Sequence, residues 1–137
     1  TVGNTDGVTT YFEHETGTNQ IKAGATTAIA ASIQSGDFDL DQRGLAGDGE
    51  YMMKIRRVIP DFLSQTGASR VTLNLKNYPT DTEASSSLGP FEVDSDTTKI
   101  DTRARARAIA LKVDNTSITQ HWKLGTFRLD IQPDGRR

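Results

Sequence analysis

Three arginines stand at alternate positions near the end of the chain, in the run from Arg103 to Val113 (RARARAIALKV). On a β-strand this spacing places Arg103, Arg105 and Arg107 on one face and the intervening alanines on the other. Such a row of guanidiniums can clamp carboxylates of a neighbouring protein or contact nucleic-acid phosphates. Ion pairing with acidic strands of the same domain is an equally consistent interpretation. No aromatic residue is interleaved, so base stacking is not predicted.

The arginine face continues into apolar residues at Ile109, Leu111 and Val113. We therefore expect one long strand over Thr102–Asp114 that begins at a charged rim and runs into a core. A protein-interface role is the interpretation that this pattern favours. The candidate interface residues are the arginines of this strand and of an earlier one: Arg103, Arg105, Arg107, Arg56 and Arg57.

Carboxylates also alternate, at Asp37, Asp39 and Asp41. Oxygen ligands at such positions suit Ca²⁺, but an EF-hand loop needs glycine at its sixth position and glutamate at its twelfth. Gln42 and Asp48 occupy those positions. A solvated strand face explains the alternation more simply, and no metal site is predicted.

Catalytic chemistry finds no support in the residue pattern. The chain has 2 histidines and no cysteine, and His14 and His121 lie far apart in the sequence. A catalytic histidine needs a nucleophile and an orienting carboxylate within reach, and no local motif supplies them. We therefore predict that the protein is not an enzyme and uses no cofactor.

Short strands must position these residues. The hydrophobic fraction is 34%, and Gly, Thr, Ser and Asp are plentiful, which is typical of strands joined by polar turns. About seven or eight short strands without an amphipathic helix predict an all-β fold, a jelly-roll-like β-sandwich. The predicted strands are Val8–Glu13, Thr26–Ser35 with Phe38–Leu40 as its continuation, Tyr51–Ile59, Arg70–Tyr78, Phe91–Val93, Thr102–Asp114, Ile118–Lys123 and Thr126–Ile131.

The 137 residues suit a single domain over 1–137. Residues 79–98 are polar and are predicted to form a long connection, with only a brief strand at Phe91–Val93. Period-2 alternation within the strands predicts the core residues Trp122, Leu73, Leu111, Phe127 and Leu129. No apolar run approaches the roughly 18–20 residues that span a bilayer, so no membrane partner is expected.

Charge is distributed unevenly along the chain. Residues 1–102 carry 8 basic and 15 acidic side chains, whereas residues 103–137 carry 8 basic and 3 acidic ones. This asymmetry suits a subunit whose two surfaces meet different partners, or copies of the same chain.

Several segments together resemble a known family. They are Ile33–Asp37, Gly49–Asp61, Val71–Pro79, Lys99–Val113 and His121–Arg137. The arginine-alternating strand, the turn Trp122-Lys-Leu-Gly125 and the Pro-Asp-Gly-Arg end are the most specific part. The chain resembles the carboxy-terminal domain of tailed-bacteriophage tail proteins of the nozzle, tail-tubular or DNA-stabilisation kind.

The resemblance implies a structural protein of the virion, assembled in the bacterial cytoplasm into a ring around the genome exit channel of the tail. Its implied partners are copies of itself, other tail or portal proteins, and packaged DNA through non-specific contact. Full-length family members are longer and carry a β-propeller-like region. We therefore expect this chain to be the C-terminal part of a longer tail protein, or a short relative that keeps only this module.

A different class of function stays open. A β-sandwich can also be a binding module for a glycan or a host receptor, which exposes aromatic side chains on a flat or grooved face. Most aromatic residues of this chain stand at strand positions predicted to be buried, so this is the alternative hypothesis.

Overall fold

The computed structural model describes residues 2–5, 8–11, 13, 16–40, 50–78, 81, 84 and 86–135. These residues form fourteen β-strands and no helix, and none of them belongs to an apolar helix of membrane-spanning length. The strands are β1 Val2–Thr5, β2 Val8–Tyr11, β3 Asn19–Lys22, β4 Ala25–Ala28, β5 Ala31–Gln34, β6 Phe38–Asp39, β7 Met53–Ile59, β8 Phe62–Thr66, β9 Ser69–Lys76, β10 Ser86–Val93, β11 Ile100–Ala106, β12 Ala108–Asn115, β13 His121–Leu124 and β14 Arg128–Pro133.

The all-β, sandwich-like prediction is confirmed. One sheet has the strand order β10-β9-β12-β5, with β6 beside β12. A three-stranded sheet has the order β11-β7-β14, and β13 pairs with β8. All of these pairs are antiparallel. The strands outnumber the predicted seven or eight because some predicted strands are divided and because β1, β3 and β8 were not predicted.

The pair β8-β13 continues from the three-stranded sheet through two adjacent bends. Pro60 and Asp61 separate β7 from β8, and a segment that begins with Gly125 separates β13 from β14. The Gly125 N–H donates to the Asp61 carbonyl at 2.8 Å. A Cβ at residue 125 would lie 2.8 Å from that same oxygen, so the close approach requires glycine. The bend expected at Leu124–Gly125 is present.

The core lies between the inward faces of the two main sheets. Its buried residues are Met53, Ile55, Val58, Val71, Leu73, Val93, Ile100, Ala104, Ala106, Ile109 and Val113. Leu73 is the one predicted core residue that is fully buried. The other four, Trp122, Leu111, Phe127 and Leu129, are partly buried and pack against this cluster. Phe62 joins two of them in edge-to-face contacts, with ring centroids 6.5 Å from Trp122 and 5.6 Å from Phe127.

The predicted single strand over Thr102–Asp114 is wrong. β11 ends at Ala106 and β12 begins at Ala108, and the two strands belong to different sheets. In β11 the even-numbered residues, including Ala104 and Ala106, are buried, whereas in β12 Ile109 and Val113 are buried. The core-facing residues are therefore even-numbered before Arg107 and odd-numbered after it, because the chain turns there from one layer to the other. The alanines, not the arginine face, lead into the core.

The predicted connection over 79–98 contains a full strand. β10 occupies Ser86–Val93 at the edge of its sheet and pairs with β9. A register shift between Leu88 and Phe91 accommodates the cis peptide bond at Gly89-Pro90. Proline is tolerated at such an edge because its missing N–H leaves no inner ladder bond unmade. This interruption hid the alternation of the strand.

A second register irregularity turns two consecutive arginines outward. Met53 and Ile55 are fully buried, but the next buried residue is Val58, so the alternation of buried residues breaks after Ile55. The ladder with β14 shifts between Asp130 and Ile131. The side chains of Arg56 and Arg57 consequently both reach solvent.

The segment Thr26–Ser35 is extended, as predicted, but it is divided into β4 and β5. β4 pairs with β3 in a hairpin whose turn residues Ala23 and Gly24 have φ values of 50° and 78°. Positive φ at both central residues is the twist that a two-residue hairpin turn requires.

We expect Leu73→Ala to lower the free energy of unfolding by about 2–5 kcal/mol, because it leaves a cavity in the core. Leu63→Ala is the matched control, since the Leu63 side chain is 66% exposed. It should change stability by less than about 0.5 kcal/mol. Chemical denaturation measures both, and equal losses would contradict this placement of the core.

Candidate interaction surfaces

Four basic side chains form a compact group on the outer face of the three-stranded sheet. Arg105 of β11 lies directly opposite Lys54 of β7 in the ladder. Arg103 and Arg56 follow two residues along each strand, and all four residues are exposed. Residues two apart on a strand share a face, so these side chains are neighbours. We call Lys54, Arg56, Arg103 and Arg105 the basic patch.

The structure brings together four of the five predicted interface arginines. Arg56, Arg57, Arg103 and Arg105 all lie on the outer side of this sheet. Arg107 is separate, at the turn between the two layers. Its Nη1 donates to the Glu50 carbonyl at 2.9 Å and its backbone N–H to the Lys76 carbonyl at 3.0 Å, so it anchors that turn.

Two of these arginines form ion pairs within the chain. Arg105 pairs with the Asp134 carboxylate and also donates to the Asp134 carbonyl at 3.2 Å. Arg57 Nε lies 3.1 Å from Asp101 Oδ1. The intramolecular interpretation of the arginine pattern therefore holds for Arg105 and Arg57. Lys54, Arg56 and Arg103 have no ion-pair partner among the described residues.

A row of two aspartates with Arg57 between them borders the basic patch on one side. Asp101, Arg57 and Asp130 are register partners across the three strands. Asp101 also forms an ion pair with Lys99, whose Nζ lies 3.0 Å from Asp101 Oδ2. The hydrogen bonds from Lys99 and then Arg57 lower the pKa of Asp101 below its usual value. Asp101 therefore stays charged and balances these two cations, but not those of the basic patch.

On the outer face of the larger sheet, two basic side chains are paired with carboxylates. Lys76 Nζ lies 2.6 Å from Asp37 Oδ2, and Arg70 Nε donates to Asp114 Oδ2 at 3.0 Å. Asp114 is opposite Arg70 in the β9-β12 ladder. Acidic residues thus meet basic ones across these strands, which is the favourable arrangement of cross-strand charges.

A second surface is the free edge of β5. This strand pairs with β12 on one side and has no strand partner on the other among the described residues. It contains neither charge nor proline, and Ile29 and Ile33 beside and within it are each 49% exposed. Charged side chains, prolines or bulges usually protect such edges from pairing with another chain. β5 lacks these protections.

The β3-β4 hairpin lies next to this edge in the sequence and is poorly covered. Six of its eight strand residues are exposed, the two at the base, Asn19 and Ala28, are half-buried, and Ile21 is 67% exposed. Asn19 Oδ1 accepts a hydrogen bond from the Thr119 N–H at 2.6 Å, which ties the base of the hairpin to the sandwich. An isolated two-stranded hairpin is marginally stable in water.

A groove of about 240 Å³ separates β5 from β13. Ile29, Ala31 and Trp122 line it together with polar residues. The buried Asn115 amide accepts from Trp122 Nε1 at 3.1 Å and donates to the Ile29 carbonyl at 3.3 Å. Because these polar atoms already bond within the chain, they hold the groove walls together rather than await a ligand.

The remaining sequence candidates give no site. Within the described ranges, no three His, Asp or Glu residues are grouped so that they could hold a metal ion. Asp37 instead pairs with Lys76. His14, Asp41 and Asp48 lie outside the described residues.

Sequence reasoning missed Lys54 and the edge of β5. The alternation of Lys54 with Met53 and Ile55 signals an outward side chain, but only the register of β7 on β11 places it opposite Arg105. The open edge of β5 depends on strand order, which the local pattern does not encode.

A scan against models of protein families returns no match for this chain, and a search of curated proteins returns none either.

The charged carboxylate of Asp101 should stabilise the folded state at neutral pH but not in acid. Its lowered pKa means that the folded state binds its proton less readily than the unfolded state. The stabilisation is present above the ordinary aspartate value of about 3.9 and disappears as pH falls through the lower folded-state value. Asp101→Asn should lower the melting temperature slightly at neutral pH, and the difference should vanish in acid. High salt should also shrink it, because the group is exposed. A difference that grows in acid would contradict this.

Proposed function

We propose that this chain is a structural module of a bacteriophage tail, of the nozzle or connector kind. It assembles with copies of itself into a ring around the genome exit channel and contacts neighbouring tail or portal proteins. The sequence resemblance supports the tail assignment. The free edge of β5 supports the assembly.

The edge of β5 carries the assembly proposal because it offers backbone groups that another strand can pair with. Addition of a strand to an open edge supplies main-chain hydrogen bonds, and adjoining apolar positions supply burial. Ile29 and Ile33 are such positions. The β3-β4 hairpin, with Ile21 exposed, would also gain stability from burial against a neighbour.

A ring needs two different complementary surfaces on each subunit, because only a head-to-tail contact closes around a higher-order axis. In this proposal the edge of β5 is one surface and the β3-β4 hairpin of the adjacent copy is the other. The two-residue turn at Ala23 and Gly24 closes this hairpin, and six of its eight strand residues are exposed.

A glycan- or receptor-binding module is the second candidate, and the groove beside Trp122 is the observation that favours it. The internal bonds of Asn115 weaken it, because a sugar site needs amides that are available to hydroxyl groups. A glycan-array signal that is lost in Trp122→Phe, with the fold intact, would favour this candidate over assembly.

We expect Ile33→Lys to abolish self-association while leaving the monomer folded. Ile33 lies opposite the buried Val113, so lysine places a charge at the inward side of the edge, a common protection against strand addition. The half-exposed position lets the ammonium reach water, so the melting temperature should change little. Analytical ultracentrifugation and native mass spectrometry measure the oligomeric state.

Ile118→Lys is the matched control, because Ile118 is 53% exposed but lies in the turn before β13. It should associate like the unmodified chain. An equal loss of self-association in both variants would show that the effect is not specific to β5, and would exclude this edge from the interface. A strictly monomeric chain in intact particles, seen by electron microscopy, would reject the ring itself.

A further inference from the structure

Three of the four cations of the basic patch have no ion-pair partner among the described residues. On the larger sheet, Lys76 and Arg70 each face a carboxylate. On the three-stranded sheet, Arg105 faces Lys54 directly. Like charges in opposite positions destabilise an antiparallel pair. A bound anion between them would remove that repulsion.

Among the described residues, one carboxylate forms an ion pair with a member of the basic patch. Asp134 pairs with Arg105 from the end of β14, and Gln132 is the neutral register partner of Lys54 on that side. Lys54, Arg56 and Arg103 retain their full charge toward solvent, since no described residue pairs with them. Three cations on two adjacent strands therefore remain for an external anion.

The surrounding surface does not resemble a protein-binding site. Protein interfaces usually centre on apolar or aromatic residues and exclude charge from that centre. The large exposed apolar residues of the described chain are Ile21, Ile29, Ile33, Leu63, Tyr78 and Ile118. None of them lies on β7, β11 or β14. A polar, strongly basic face without an apolar centre is typical of contacts with nucleic acid.

We infer that the basic patch binds the phosphodiester backbone of nucleic acid without reading its sequence. Arginine forks and a lysine ammonium provide phosphate contacts, and the face offers no aromatic side chain for base stacking. The inference rests on the charge layout of the three-stranded sheet and does not depend on assembly through β5.

Fluorescence anisotropy with a short labelled DNA duplex tests the inference. Counterion release predicts a slope of about −0.9 per phosphate contact in a plot of log affinity against log salt, so three contacts give about −3. Arg56→Ala/Arg103→Ala should reduce the slope to about −1 and weaken binding at least about tenfold at low salt. Duplexes of different sequence should bind alike.

Lys112→Ala/Lys123→Ala is the matched control, because it removes two cations of β12 and β13 that lie outside the basic patch and outside the proposed assembly surfaces. It should retain the slope of the unmodified chain. Arg56→Lys/Arg103→Lys keeps the charges and should restore most of the affinity. Thermal melts verify that each variant is folded.

Three results would overturn the inference: no binding at low salt, equal slope losses in the two alanine double variants, or equal competition by polyglutamate of matched charge. The last would assign the basic patch to acidic proteins. Ultracentrifugation of the same samples separates the two proposals, because a DNA-binding defect with intact oligomers concerns the basic patch alone.

Discussion

The packing of two sheets around small residues of β11 determines most of this structure. Ala104 and Ala106 are buried between the layers, so their neighbours Arg103 and Arg105 must point to solvent. Thr102 is also buried and donates its hydroxyl to the Ile55 carbonyl at 2.9 Å, which satisfies a backbone acceptor where the β11-β7 ladder shifts register. The same strand thus closes the core and displays its charges. A larger side chain at either alanine would separate the sheets, since close-packed interiors resist added volume.

The turn at Arg107 links the two layers. Beyond it the chain enters the larger sheet, where Ile109 and Val113 complete the core. The guanidinium of Arg107 and its backbone N–H bond to carbonyls of Glu50 and Lys76, so the turn is fixed on both sides. One short segment therefore connects the core, the basic patch and the central strand of the other sheet.

The edge of β5 and the basic patch suit partners of different chemistry. The edge of β5 has no strand partner among the described residues and carries exposed isoleucines, which favour pairing with another strand. The basic patch presents charge without apolar area, which favours a polyanion. The proposed role in a phage tail would use both kinds of contact, one to neighbouring subunits and one to the genome. The uneven charge along the chain accords with this division, because Arg103 and Arg105 begin its basic end.

Local pattern was sufficient for the all-β class, for the inward placement of Leu73 in β9 and for the turn at Gly125, since alternation and glycine act over a few residues. It placed Arg103 and Arg105 at a charged rim, but wrongly on the face that leads into the core. It could not divide Thr102–Asp114 at Arg107. The residue types keep alternating through the point where the chain changes sheets, although the set of positions that faces the core switches from even to odd. It also missed β10, whose alternation is interrupted at Gly89-Pro90. The grouping of Lys54 with Arg105, and the open edge of β5, were decided only by tertiary structure. Both depend on the register and order of strands that are distant in sequence, and no local property of the residues specifies those.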